Sequence, residues 1–104
     1  MNKYLLLIAL FTTAANASVQ IKWTDNSDNE SGFVIERRLS TETKFIKLIK
    51  LPVNTVDYTD DASNNKYCYR IGSFNRAGTA YSDEQCIDTL IKPNSPTLRL
   101  LLVL

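Results

Sequence analysis

From Val19 to Thr89 the chain is cut into short runs of Val, Ile, Tyr, Phe and Trp, separated by clusters of Asp, Asn, Ser and Gly. Runs of that kind read as strands and turns. No segment longer than about ten residues in this span keeps the 3.6-residue apolar period of a helix. The expectation is an all-β domain with strands spaced as in a two-sheet sandwich. Val19-Gln20-Ile21-Lys22-Trp23 places Val19, Ile21 and Trp23 on one face, since successive side chains in a strand alternate. Phe33 to Arg37 forms a second strand after the turn-rich stretch Asp25 to Gly32, Phe45 to Leu51 a third and Thr55 to Asp60 a fourth. In the fifth, Tyr67 to Phe74, Tyr67, Tyr69 and Ile71 point one way and Cys68, Arg70 and Phe74 the other. Asn75-Arg76-Ala77-Gly78 reads as a tight hairpin into a sixth strand, Thr79 to Thr89.

The residues before Val19 have a different texture. Met1-Asn2-Lys3 carries one charge, Tyr4 to Phe11 is almost wholly apolar, and Ala15-Asn16-Ala17 has small residues where a signal peptidase reads. This is the layout of a secretory signal peptide over residues 1–17, cleaved between Ala17 and Ser18. The apolar run falls far short of the roughly 20 residues needed to span a bilayer as a helix. The expected location is secreted, periplasmic or at the cell surface. Loss of Lys3 leaves equal numbers of basic and acidic side chains. A neutral surface gives no electrostatic footprint for nucleic acid.

Cys68 and Cys86 are the two cysteines, and export would place them in an oxidising compartment. The alternatives are free thiols or half a metal site, but zinc would need two further Cys or His ligands, and the chain has no histidine. A three-residue loop Arg76-Ala77-Gly78, with Asn75 facing Thr79, carries the hairpin register down to Cys68 opposite Cys86. Such opposed residues can be bridged. Closing a loop of this size is worth about 3 kcal/mol.

Three segments in order resemble the fibronectin type III family. They are Ile21 to Arg37 with its tryptophan, Tyr58-Thr59-Asp60, and Tyr67-Cys68-Tyr69-Arg70-Ile71 followed by Asn75 to Gly78 and Tyr81-Ser82. The resemblance covers Val19 to Thr89 and implies seven strands in two sheets, with Trp23, Phe33, Ile35, Tyr67, Tyr69 and Ile71 in the shared core. Tyr67 would be the corner tyrosine that bonds to nearby backbone. The domain is thus expected over 18–90, with the family's first strand missing. Residues 91–104 hold a Pro-containing linker and the apolar tail Leu98 to Leu104. Three readings of that tail stay open. It is a remnant of a truncated next domain, a sticky end, or the displaced first strand, added within the molecule or to a neighbour by self-association. The in-molecule case would amount to a circular permutation.

No catalytic constellation, cofactor motif or metal set stands out. Asp25 to Glu30 has calcium-like oxygen spacing but reads more simply as an Asx-rich turn. Asp60-Asp61 reads as turn chemistry, and Glu36-Arg37-Arg38 with Arg70 as solvated outer-face charges. Asn29-Glu30-Ser31 fits a glycosylation acceptor, meaningful only in a eukaryotic secretory route. Phe74, Arg76 and Tyr81 are the candidate contact surface, with loops Asp25–Ser31, Asp60–Asn65 and Arg76–Gly78 available beside them. The expected function is a non-enzymatic exported module with an unknown protein or glycan partner. The alternatives are a spacer or fragment of a larger secreted enzyme such as a polysaccharide hydrolase, and a carbohydrate-binding module.

Overall fold

The computed structural model describes residues 17–26, 28–62, 65–89 and 97–103. The signal segment expected over 1–17 lies outside these residues except for Ala17, which opens the first strand. Among the described residues all eight regular elements are strands: β1 Ala17–Thr24, β2 Gly32–Leu39, β3 Ile46–Pro52, β4 Asp57–Ala62, β5 Lys66–Asn75, β6 Gly78–Tyr81, β7 Gln85–Asp88 and β8 Thr97–Val103. They form two sheets. The smaller has the order β4-β1-β8; the larger has β3-β2-β5-β6, with β7 also paired to β5.

The alternation seen in the sequence builds the core. Val19, Ile21 and Trp23 of β1 face Phe33 and Ile35 of β2 and Tyr67, Tyr69 and Ile71 of β5, and all eight lie in one buried cluster. The Trp23 and Phe33 rings meet with centroids 5.7 Å apart, and those of Tyr67 and Tyr69 at 6.4 Å. Both separations suit tilted aromatic pairs.

The tail belongs to the fold. Of its three readings, the structure adopts in-molecule strand addition: β8 pairs with β1 from Ser18↔Thr97 to Thr24↔Val103. Leu100 and Leu102 join the core cluster, while Leu101 and Val103 stay 59% and 58% exposed. The pairing is parallel. A circular permutation of an antiparallel sandwich would keep its strand antiparallel to its neighbour, so this one is not a permutation. The described strands of the two sheets therefore run from Ala17 at the start of β1 to Val103 at the end of β8. Ahead of the crossing, buried Thr89 is tied to Asn65 at the foot of β5: its Oγ1 accepts from Asn65 N–H at 2.9 Å, and its own N–H reaches Asn65 O at 2.7 Å.

The fourth strand lies two residues later than expected. Thr55 belongs to the preceding turn, where its Oγ1 donates to Pro52 O at 2.7 Å and Asn54 takes a positive φ of 68°. Asp60 and Asp61 remain in β4 instead of turning. The final hairpin also differs. Asn75 pairs with Gly78, not Thr79, leaving a two-residue loop. Gly78 supplies the positive φ of 146° and Asn75 Oδ1 accepts the Ala77 N–H at 2.7 Å. The sixth strand is split at Ser82, whose N–H bonds Ile71 O at 2.8 Å while its Oγ, in place of its carbonyl, accepts the Ile71 N–H at 3.0 Å. The ladder is released there and resumes one residue out of step. That shift restores Cys68↔Cys86, which form the disulfide.

The register makes a sharp distinction within one run of leucines. Leu102→Ala should cost about 2–4 kcal/mol of unfolding free energy, the usual range for emptying a filled core site. Leu101→Ala should change it by less than about 0.5 kcal/mol, as exposed substitutions do. Urea titration of the two variants checks this, and equal losses would show that β8 does not hold this register.

Candidate functional site

Alternation on β2 places Phe33, Ile35 and Arg37 on the inner face, and alternation on β4 does the same for Tyr58, Asp60 and Ala62. Arg37 and Asp60 therefore meet between the sheets, which corrects their expected roles as a solvated charge and a turn residue. Asp60 Oδ2 accepts from Arg37 Nη1 at 2.8 Å and from the Tyr69 hydroxyl at 2.6 Å. The Arg37 guanidinium also lies 4.4 Å above the Tyr67 ring. Two sheets that otherwise touch through apolar side chains are thus clamped by a charged, directional contact. Burial opposes the Arg37 charge, but Asp60 outweighs it and the pKa rises. Burial, reinforced by the bond to Asp60, holds the Tyr69 hydroxyl above its ordinary value. The hydroxyl that spans the sheets is that of Tyr69, and Tyr67 lies in the core beside it, as expected of its position.

The outer face of the larger sheet carries the second polar cluster. Glu36 stands opposite Arg70 in the β2–β5 ladder and is buried. Its Oε1 accepts from Arg70 Nε at 2.9 Å and Nη2 at 2.7 Å, and its Oε2 from the Tyr81 hydroxyl at 3.1 Å. The Arg70 guanidinium stacks on Tyr81 at 3.9 Å and on Phe45 at 4.2 Å. Neighbouring Arg38 pairs with Glu84 and donates to Glu42 O at 2.7 Å. These are outer-face charges, as expected, but they are braced rather than freely solvated. Burial first, then Glu36, raises the Tyr81 pKa.

Two glycines make room for the aromatics. A Cβ on Gly72 would lie 2.9 Å from the Tyr81 ring, and one on Gly32 2.9 Å from the Phe74 ring. Each ring lies across a glycine of its own sheet, so both do ordinary cross-strand packing. Phe74 is half-buried with Lys50 5.1 Å over it, whereas Tyr81 is 43% exposed. Arg76 sits apart from them, exposed in the hairpin loop. The missed residue is Phe45, and with it the stacking role of Arg70, since both depend on cross-strand geometry. The parity of Glu36 and Arg70 on the outer face was the available signal.

Of the three loops, Asp25–Ser31 and Arg76–Gly78 share one end of the sandwich. Asn75 Nδ2 donates to Asn29 O at 3.2 Å, and Ser31 N–H to Phe74 O at 2.6 Å. The described residues that flank the third loop, Ala62 and Asn65, lie toward the other end. Among the described residues, the one group of acidic and sulfur side chains close enough to share an ion is Cys68, Glu84 and Cys86, and both sulfurs are taken by the disulfide. No described helix is long and apolar enough to cross a membrane.

No family model, curated protein or solved structure matches this chain.

Two outcomes follow from these clusters. Because Tyr69 keeps its proton in the fold to a higher pH than in the unfolded chain, its contribution is complete below pH about 10 and is lost as pH rises above it, by up to about 1.4 kcal/mol per unit. Tyr69→Phe should lower stability at pH 7 by about 1–3 kcal/mol, by leaving Asp60 short of a donor, and should make the alkaline decline shallower. An unchanged alkaline limb in a pH series of urea melts would contradict the clamp. On the outer face, Arg70→Ala should cost about 1–3 kcal/mol because it strands the buried Glu36 carboxylate. Adding Glu36→Leu should recover most of that loss. A double variant as unstable as Arg70→Ala would show that the pair matters for another reason.

Proposed function

We propose that this chain is an exported, non-enzymatic interaction module of fibronectin type III character, with the outer face of the larger sheet as its contact surface. The type rests on the three ordered segments from Ile21 to Ser82, together with the two-sheet, all-β architecture that contains them. The disulfide is compatible with an extracellular or periplasmic site. The parallel β8 departs from the family's antiparallel pattern.

The observation that carries the reading is the stack of Phe45, Arg70 and Tyr81 over buried Glu36. Tyr and Arg dominate the energetically important positions of protein interfaces. A ring and a guanidinium already locked by hydrogen bonds and stacking lose little further freedom when a partner covers them. The partner expected is a protein surface presenting a carboxylate or carbonyl to the Arg70 and Arg38 edges, with an apolar patch over Tyr81.

Affinity capture of envelope proteins from the source cells on the immobilised chain tests this. A protein partner should be retained reproducibly and weakened on the order of tenfold by Tyr81→Ala, equivalent to about 1.4 kcal/mol. Thermal melting of the variant confirms that the fold is intact. Capture unaffected by Tyr81→Ala, or no capture, overturns the reading. Tyr81-dependent retention on a glycan array in place of a protein would move the module to the carbohydrate-binding class.

A further inference from the structure

Residues 83–88 form a strap held at each end by a buried hydroxyl residue, Ser82 and Thr89. Ser82 is fixed to Ile71, donating its N–H to Ile71 O at 2.8 Å and accepting the Ile71 N–H at its Oγ at 3.0 Å. Thr89 is fixed to Asn65, whose carbonyl accepts from its N–H and from its Oγ1, both at 2.7 Å. Between these posts lies β7, four residues long, with Ile87 packed against the core and its other three side chains exposed. A ladder so short, with so little apolar burial, belongs to the class of elements that open locally before a domain unfolds. The bond from exposed Cys86 to buried Cys68 of β5 pins it. Glu84 rides on the same strap, its carboxylate within 4.8 Å of both sulfurs. It pairs with Arg38, whose guanidinium lies 5.4 Å from the Phe45 ring of the Phe45–Arg70–Tyr81 stack. Arg70 is covered by a different acid, Glu36, which belongs to β2. One arginine of the contact face thus has a fixed counter-charge, and the other has one carried by the strap.

We propose that the Cys68–Cys86 disulfide is a thiol-cleavable latch that decides whether Glu84 covers Arg38. A dithiol reductant supplies the electrons. One of its thiolates attacks the Sγ of exposed Cys86 and forms a mixed disulfide, while the Cys68 sulfur leaves and takes up a proton. The second thiol of the reductant, giving up its proton, attacks the reductant's own sulfur in the mixed disulfide, and Cys86 leaves and is protonated. The protein disulfide has become two thiols and the dithiol a disulfide. Once the bond is cut, β7 rests on its short ladder alone and opens, Glu84 leaves with it, and Arg38 is uncovered for an acidic partner. The posts at Ser82 and Thr89 confine the opening, so β8 keeps its place beside β1. The latch regulates the outer face, and rests on the contact-surface reading for the partner alone.

Amide hydrogen exchange of the full chain, oxidised and then in excess dithiothreitol, tests the latch without any partner. Reduction should speed exchange of the β7 amides by about tenfold or more, with β1, β2 and β8 unchanged. Cys86→Ser, at an exposed position, should reproduce that pattern with no reagent present. Arginine modification by phenylglyoxal, read by peptide mass, should quicken on reduction at Arg38 and not at Arg70. Glu84→Gln should quicken it at Arg38 in the oxidised chain while β7 stays protected. A disulfide that the folded chain does not yield to dithiothreitol overturns the proposal. So does β7 protection that survives reduction, exchange that rises across β1 and β8 together with β7, or Arg38 reactivity that ignores both reduction and Glu84→Gln. Because these readouts use the chain alone, failure of the latch is distinct from failure of Tyr81-dependent capture.

Discussion

The coverage of β1 on both sides is the constraint on which this fold depends. Val19, Ile21 and Trp23 are its inward residues, and each is at least nine-tenths buried. A strand with that much inward apolar surface cannot stand at a sheet edge without exposing core and backbone together. β4 covers one side and β8 the other. β8 brings Leu100 and Leu102 into the same cluster, so the backbone pairing and the apolar burial come from one segment. Each fully buried leucine contributes roughly 1.5–3 kcal/mol, a substantial part of the 5–15 kcal/mol that stabilises a typical domain.

The larger sheet has a different organisation. Its centre, β2 against β5, is a regular ladder, but its far edge is deliberately interrupted. Ser82 replaces one backbone acceptor with its hydroxyl, and the one-residue shift that follows brings Cys86 opposite Cys68. The covalent bond thus depends on a serine four residues away. Polar chemistry is placed with similar economy: Asp60 joins the sheets from inside through Arg37 and Tyr69, and Glu36 gathers Arg70 and Tyr81 outside.

Much of this was legible in the sequence, for a physical reason. Period-two alternation with Asx- and Gly-rich turns carried the all-β class and the inward faces of β1 and β5, the family resemblance carried Phe33 and Ile35 of β2, and the hairpin register carried the opposition of Cys68 and Cys86. The same rule, carried two residues further along β2, would have turned Arg37 inward. Its charge argued for the surface, and only an acid on the facing strand makes the inward position tolerable. That acid, Asp60, was hidden by its neighbour Asp61, because a pair of aspartates looks like a turn. The hairpin loop is one residue shorter than its sequence suggests, and the break at Ser82 shifts the ladder back by one, so Cys68 meets Cys86 by a different path from the one the loop implies. The direction of β8 was not fixed by the sequence, since a near-continuous apolar run inclines toward parallel pairing without excluding an antiparallel partner. The outer-face stack was half legible: Tyr81 was visible as an exposed aromatic, but the contributions of Phe45 and Arg70 required the cross-strand geometry.

The division of labour between the faces follows from this layout. One sheet offers a braced polar and aromatic face, and the other ends, among the described residues, in the largely apolar β8. The fold requires β8 to be a structural member of the sandwich. Native-state amide hydrogen exchange measures this directly, residue by residue. The β8 amides that bond to β1 should be protected to nearly the same free energy as those of β1 itself, and should open only when the domain unfolds. Exchange of the β8 amides at unprotected rates, with β1 and β5 still closed, would contradict it.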